Sequence, residues 1–213
     1  GCHTDQTPAW AATILKERHG EPPDGPPYAE ALHAVRTGNP EAAAMLRAIA
    51  RNAALPDIVR ATAFNYLASY PDARNESVIL AGLGDEQPLV RIGALQALAN
   101  LPPADRYRLA APLLGDPLKA VRYLAASACA AVSGKLPEAE QRRLDAAMSD
   151  YLAAQSANAE YPWAAVNAGN LRRDLGDPGA AERSYRQALV LEPGYPPAAI
   201  NLADLYRVQS RDD

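Results

Sequence analysis

The chain has 213 residues, a net charge of −4, 48% hydrophobic residues and 6% aromatic residues. This length suits one elongated domain or two small ones. No run of Lys and Arg is long enough to follow a phosphate backbone, and no apolar stretch approaches the ~18 residues of a membrane span. We therefore expect neither a nucleic-acid-binding surface nor a transmembrane segment, and no secretory signal peptide is recognisable.

Proline and glycine punctuate the chain at short intervals, which predicts short helices. Thr7-Pro8 has the form of an N-cap and first helical residue, and the helix is expected to run to about Arg18 and to stop at Gly20. Residues 20–27 form a predicted linker. The remaining predicted helices cover residues 28–37, 40–53, 56–69, 73–82, 87–100, 103–113, 117–132, 137–157, 162–174, 178–191 and 196–209. No sustained period-2 pattern is present, so we predict an all-α antiparallel array.

Two segments align at a shift of 31 residues, LGDEQPLVRIGALQAL (83–98) and LGDPLKAVRYLAASAC (114–129). A further shift finds the same Val-Arg-x-x-Ala-x-x-x-Leu spacing in PDIVRATAFNYL (56–67), although Ala54 occupies the position of the leading Asp. Val, Ala and Leu at i, i+4 and i+8 form one apolar stripe, and its Ala permits close packing of a neighbouring helix. The 31-residue period therefore predicts a stacked helical repeat.

The same repeat predicts how its helices begin, end and pair. Gly84 and Gly115 are expected to end their helices in a left-handed conformation, and the following Asp to accept hydrogen bonds at the next helix start. Arg60, Arg91 and Arg122 should lie on successive equivalent helices. We expect Asp85 and Asp116 to meet these arginines in a structural ladder that sets the register between repeats.

These residues resemble the short form of the HEAT repeat over residues 40–133, on the pattern D-x(4)-V-R-x-x-A-x-x-x-L at 85–98 and 116–129. The resemblance implies an α-solenoid that scaffolds or binds proteins and has no catalytic activity of its own.

The last third has a period of 34 residues, and residues 162–193 resemble a tetratricopeptide repeat. Its small positions are Gly169 and Ala181, and Tyr185 should fill the space between repeats. The other matching positions are Gly176, Ala188 and Pro193, followed in a second copy by Asn201, Leu202, Ala203 and Tyr206. Arg172 departs from the family where an aromatic is usual, and Trp163 is shifted from the usual Trp position. Residues 142–155 look like the second helix of a degenerate copy, which would make the two arrays continuous.

These resemblances predict a right-handed α-solenoid in three parts: the tail of a further motif segment with a leading helix (1–22), HEAT-like repeats (23–135) and tetratricopeptide-like repeats (136–213), of which the last is expected to be truncated. Amide side chains in the concave groove of such arrays can bind a peptide backbone, and arginines can bind a carboxylate. The predicted groove residues are Asn167, Asn170, Arg173, Asn201 and Arg207. The alternative is that Asn is simply ordinary repeat sequence at these positions. A full carboxylate clamp is not expected, because Val166 stands where such clamps carry Lys.

The titratable residues give no sign of a catalytic or metal site. Cys129 occupies the Leu position of the 31-residue repeat and is expected to be a buried small hydrophobe. His19 and His33 have ordinary structural explanations, and the spacings between the three histidines fit no helical metal pair. No Ser/His/Asp or Cys/His constellation or phosphate loop is recognisable, so we predict that the chain is not an enzyme.

Cys2-His3 matches the second half of the haem c attachment motif C-x-x-C-H. Together with TDQTPAWAATILKERHG (4–20) and the repeats that follow, it resembles the region after the last haem motif of multihaem c-type cytochromes. The resemblance implies a bacterial, exported, electron-transferring parent protein in which Cys2 and His3 contact haem. The chain starts at Gly1, and we expect it to be excised from such a parent and to attach no haem itself. The alternatives are an accidental Cys-His pair beside a vector-derived glycine, or a free thiol near a terminus.

Three functions follow as hypotheses. The first is a non-catalytic interaction module, periplasmic if the haem resemblance holds, that binds a protein, a peptide or the haem domain of its own parent. The second is a share in a haem electron-transfer site through Cys2 and His3. The third is a cytoplasmic scaffold unrelated to haem.

Overall fold

The computed structural model describes residues 4–20 and 28–210, and this part of the chain is all-α, with no β-strand. Its helices are α1 (Pro8–His19), α2 (Tyr28–Thr37), α3 (Ala42–Arg51), α4 (Asp57–Leu67), α5 (Arg74–Leu83), α6 (Pro88–Gln96), α7 (Pro103–Ala110), α8 (Lys119–Cys129), α9 (Glu138–Ser156), α10 (Pro162–Asp174), α11 (Pro178–Leu191) and α12 (Pro196–Val208). Two short 3₁₀ segments, Ala111–Gly115 and Ala130–Val132, follow α7 and α8. Every helix predicted in these ranges is present, with ends that differ by a few residues.

The side-chain caps explain several of these boundaries. Thr7 Oγ1 accepts a hydrogen bond from Trp10 N at 3.2 Å, and Asp177 Oδ1 accepts one from Ala180 N at 2.8 Å. Each cap is followed by a proline at the first helical position, where a missing N–H costs nothing. Gly20 and Gly176 have φ of 79° and terminate α1 and α10 as predicted.

Gly84 and Gly115 do not have the predicted left-handed conformation. Gly84 has φ of −95°, and among the described residues only Gly20, Gly38, Gly134 and Gly176 are glycines with positive φ. The two turns are closed instead by short-range bonds, from Asp85 N to Gly82 O and from Asp116 N to Leu113 O. The prediction was wrong because these tight turns leave the helix through negative-φ geometry that any residue can adopt.

Helices from α3 to α8 pack in two rows. Helices α3, α5 and α7 contact one another in succession, as do α4, α6 and α8. The rows meet through α3 with α4, α5 with α6, and α7 with α8. Alternate helices of the chain are therefore neighbours, which explains why the repeat comprises two helices.

Helices α4 and α6 run parallel, because their contacts advance together along both. The side chains of Asn65 and Gln96 are hydrogen bonded, and Asn100 Nδ2, in the turn after α6, donates to Ala68 O at the end of α4. Gly93 permits this approach: a Cβ there would lie 2.6 Å from the carbonyl oxygen of Ala61. The 31-residue period is thus a direct side-by-side register of the two helices.

Arginine–aspartate pairs connect successive parts of this array. Arg60, Arg91 and Arg122 lie on α4, α6 and α8. Arg60 Nη2 is 2.5 Å from Asp85 Oδ2, and Arg91 Nε is 2.8 Å from Asp116 Oδ2. Both aspartates also accept a backbone hydrogen bond two residues ahead, from the N–H of residues 87 and 118, so each carboxylate closes the turn into the next helix.

The ladder continues differently at its two ends. Arg122 donates to the carbonyls of Asp116 and Pro117 and has no carboxylate partner among the described residues. Arg47 on α3 forms an additional pair with Asp72 at 3.3 Å, which the repeat pattern did not predict. Its 25-residue Arg-to-Asp spacing is shared with Arg60–Asp85 and Arg91–Asp116 and is the signal that could have revealed it. In the turn before α4, Asn52 Oδ1 accepts from Ala54 N, so an Asn two residues earlier replaces the missing Asp.

The hydrophobic core continues past residue 135. One cluster of buried side chains extends from Ala31 to Leu171 and includes Leu144 and Met148 of α9. A second cluster covers Val166 to Leu205. Both clusters include side chains of α10, which therefore links the two regions of distinct periodicity.

Helices α10 and α11 pack closely through the small residues identified in the sequence. A Cβ on Gly169 would lie 2.5 Å from the ring of Tyr185, which is fully buried. Ala181 is also fully buried, and Tyr185 fills the space beside both small positions. Arg172, which departs from the repeat pattern, donates to Ser184 Oγ.

Candidate functional site

A cleft of about 420 Å³ lies where α4, α6, α7, α8 and α10 come together, and we call it the polar cleft. Asn65, Gln96 and Ser127 contribute polar side chains from α4, α6 and α8, and these residues are spaced 31 apart in sequence. The apolar part of the lining consists of Ala68, Leu95, Ala99, Leu124 and Ala128. The repeat therefore places one short polar group per copy on the same surface.

The side-chain amides of Asn65 and Gln96 use only part of their hydrogen-bonding capacity. Asn65 Nδ2 donates to Gln96 Oε1 at 3.0 Å, and both residues are exposed. Asn65 Oδ1 and the N–H groups of Gln96 have no hydrogen-bond partner among the described residues. One acceptor and one donor group of the pair can thus bind a further molecule.

Helix α10 supplies the other wall with Asn170, Arg173 and Asp174. Arg173 Nε and Nη2 both lie 2.9 Å from Asp174 Oδ1, so these opposite charges are paired. Asn170 Oδ1 accepts from Tyr185 Oη and from Asn201 Nδ2, each at 2.9 Å. Burial raises the pKa of Tyr185, and the neutral phenol remains a donor to Asn170 throughout the neutral range.

The predicted groove residues thus separate into three groups. Asn170 and Arg173 line the polar cleft, and Asn201 contacts it only through its bond to Asn170. Asn167 and Arg207 do not line it. Asn167 Nδ2 donates to Gln155 Oε1 on α9, and Arg207 pairs with Asp204 on its own helix. The 34-residue spacing shows that two residues occupy equivalent positions in successive copies. It does not specify which face of α10 packs against the neighbouring α9, and Asn167 lies on that face.

Three polar residues of the 31-residue repeat were missed as site residues. Asn65, Gln96 and Ser127 each follow a ladder arginine by five residues in the sequence. The available signal was a polar residue at the same position of each 31-residue copy, on the helix that also carries the apolar Val/Ala/Leu stripe. Arg106 of α7 also lines the cleft and has no repeat counterpart that could have revealed it.

Cys129 lies on α8 and is fully buried. Burial raises the pKa of its thiol to about 12, although the charge of Arg106 partly opposes this. A thiol in this state is a packing group rather than a nucleophile.

Cys2 and His3, the residues of the haem hypothesis, lie outside the described residues, and that hypothesis stays a prediction. Within residues 4–20 and 28–210, no group of three or more His, Cys, Asp or Glu side chains could hold a metal ion. In the same ranges, no helix combines the length and the apolar character needed to cross a membrane.

Comparison with known proteins gives no relative: no family model matches the chain, and no curated protein or solved structure is significantly similar to it.

Proposed function

We propose that this protein is a non-catalytic interaction module of the α-solenoid class that holds an extended segment of a partner protein in the polar cleft. The observation that carries the proposal is the alignment of Asn65, Gln96 and Ser127 along one wall at 31-residue intervals. Stacked repeats form extended binding surfaces in this way, because each copy repeats its surface group at the same position.

The spacing of Asn65, Gln96 and Ser127 on successive helices suits an extended peptide. Packed helices lie ~8–10 Å apart, which is close to the length of about three extended residues at ~3.3 Å each. A side-chain amide or hydroxyl at each step can exchange hydrogen bonds with the peptide backbone, which carries one donor and one acceptor per residue. Such contacts read the backbone and leave sequence preference to other groups in the cleft.

The solenoid arrangement is part of the proposal and is supported by the helix contacts. Between α3 and α8 each helix contacts the next helix but one, which forms two rows, and the rows meet through α3 with α4, α5 with α6 and α7 with α8. The close packing of Gly169 against Tyr185 supports a tetratricopeptide-like hairpin for α10 and α11. The polar cleft would then lie at the junction of the HEAT-like and tetratricopeptide-like repeats.

Peptide selection with a blocked cleft tests this function. Random peptides of about twelve residues, enough to cross four helices, are displayed on phage and selected on the purified chain. Gln96→Trp fills the middle of the cleft from an exposed position, and Gln87→Trp makes the same change at an exposed residue outside it. We expect peptides that bind the wild type and Gln87→Trp but not Gln96→Trp. The proposal is overturned if every selected peptide binds Gln96→Trp as well as it binds the wild type, or if no peptide is selected.

A further inference from the structure

We infer that Arg106 binds a carboxylate of the partner segment, so the polar cleft selects segments with an acidic side chain or a free C-terminus. This inference rests on the proposed function and adds the chemistry that the partner must carry.

Arg106 is an exception among the polar groups of the protein. Its Nε is the one buried side-chain nitrogen or oxygen in the described part of the chain that has no hydrogen-bond partner. The side chain is half-buried on α7 and lines the polar cleft. Buried donors are almost always satisfied, and an unsatisfied charged donor is costly, so a native protein that retains one calls for an explanation.

Other arginines of the helical array show what Arg106 lacks. Arg60 and Arg91 each contact an aspartate, and Arg122 donates to two carbonyls. Arg108, on the same helix as Arg106, contacts Glu76 and Asp105. No ion pair or hydrogen bond joins Arg106 to any described residue.

The charges that face the cleft favour an anion. Arg106, Arg173 and Asp174 are its charged residues, and Asp174 is already paired with Arg173. The remaining charge is the cation of Arg106, in a chain whose net charge is −4. The two Nη groups of a guanidinium are parallel donors that match the two oxygens of a carboxylate, and those of Arg106 are not fully buried, unlike its Nε.

The experiment uses two random phage libraries, one fused through the peptide C-terminus and one that ends in a free C-terminal carboxylate. The first presents only Asp and Glu side chains as carboxylates, so the two libraries separate the two sources. Selected peptides are synthesised with a fluorescent label, and affinity is measured by anisotropy. Each is compared with its Asp→Asn, Glu→Gln or C-terminally amidated form.

We expect neutralisation of the peptide carboxylate to weaken binding to the wild-type chain about tenfold or more. Arg106→Gln should lower the affinity for the acidic peptide to the same extent. Its affinity for the neutral peptide should equal that of the wild type. Arg108→Gln is the matched control, because it makes the same change two residues along α7 and outside the polar cleft. The comparison of acidic and neutral peptides on the wild type holds even if Arg106→Gln does not fold.

The outcomes separate the inference from the proposed function. Peptides that bind the cleft without a required carboxylate would overturn the role of Arg106 and leave the interaction module intact. That role is also overturned if Arg106→Gln folds and still prefers the acidic peptide. If no peptide distinguishes wild type from Gln96→Trp, the proposed function fails and the inference fails with it.

Discussion

Arg91 and Asp116 form a two-point ion pair between α6 and the turn that precedes α8. Arg91 Nε donates to Asp116 Oδ2 at 2.8 Å, and Nη2 donates to Oδ1 at 3.1 Å. The Asp116 side chain is 4% exposed and that of Arg91 11% exposed, so solvent screens the pair weakly. Asp116 Oδ1 also accepts from Leu118 N, and one carboxylate thus joins two repeats and closes a turn.

Asp116→Ala should therefore be strongly destabilising. It leaves the largely buried guanidinium of Arg91 without its counter-charge, and we expect the free energy of unfolding to fall by about 3–5 kcal/mol. The measurement is urea unfolding followed by far-ultraviolet circular dichroism. Glu76→Ala is the control, since it breaks an ion pair with Arg108 in which both side chains are about half exposed. It should cost no more than about 1 kcal/mol, and equal losses for the two variants would contradict the structural role of Asp116.

Two glycine substitutions should differ clearly in their effect on stability. A Cβ at Gly93 would lie 2.6 Å from the carbonyl oxygen of Ala61 and 2.7 Å from its Cα, and backbone atoms cannot rotate away. Gly93→Ala should separate α4 from α6 and lower the free energy of unfolding by about 1–3 kcal/mol.

Gly115→Ala is the comparison. No heavy atom lies within 4 Å of a Cβ there, and its φ is not positive, so stability should be unchanged or rise by up to about 1 kcal/mol. Thermal melting of both variants measures the difference. A tolerated Gly93→Ala would show that the two helices are not in close contact.

Acid should destabilise the fold through Asp72. The side-chain and backbone hydrogen bonds from Arg74 lower the pKa of Asp72 to about 2, and the charges of Arg74 and Arg47 act in the same direction. Its pKa in an unfolded chain is ~3.9, so the ionised form favours the folded state. The stabilisation is complete above that value and is lost as the pH falls from about 4 towards 2.

Asp72→Asn keeps an oxygen that can accept from Arg74 N but has no carboxylate to protonate. We expect the urea midpoint of this variant to depend less steeply on pH between about 4 and 2 than that of the wild type. Parallel curves for the two proteins would show that Asp72 is not linked to folding.

Cys129 should be unreactive in the native protein. With its pKa raised to about 12, only about one thiol in ten thousand is ionised at pH 8, compared with roughly a quarter for a free cysteine. The side chain is also fully buried. In a Cys2→Ser variant, we expect iodoacetamide to modify Cys129 only in urea. Rapid modification without denaturant would contradict the burial of the Cys129 side chain.

Asn170 should matter more for stability than Asn167, which lies on the same helix. Asn170→Ala leaves the buried Tyr185 hydroxyl without its acceptor and should lower the free energy of unfolding by about 1–3 kcal/mol. Asn167→Ala removes one 3.3 Å bond to Gln155 and should cost under about 1 kcal/mol. Equal effects would argue against the Tyr185–Asn170–Asn201 network, and urea unfolding measures both.

The helices and their register could be predicted from the sequence because both depend on local rules. Prolines at first helical positions, side-chain caps such as Thr7 and Asp177, and apolar spacing act within a few residues. The 31-residue period relates Arg60, Arg91 and Asp116 because identical units that stack must repeat their contacts. The left-handed conformation expected at Gly84 was wrong, since glycine permits that geometry without requiring it.

The polar cleft was decided only by the tertiary structure. Its walls come from α4, α6, α7, α8 and α10, and the two repeat periods each describe only part of this set. Whether a polar side chain is hydrogen bonded also depends on the helices that pack against it. Asn170 is hydrogen bonded to Tyr185 and Asn201, whereas Arg106 has no partner among the described residues. By itself the sequence determined an all-helical chain with two repeat periods, because helix formation and stacking follow from spacing. Which side chains converge, and which remain unpaired, depends on how the rows of helices meet, and spacing along the chain does not specify that.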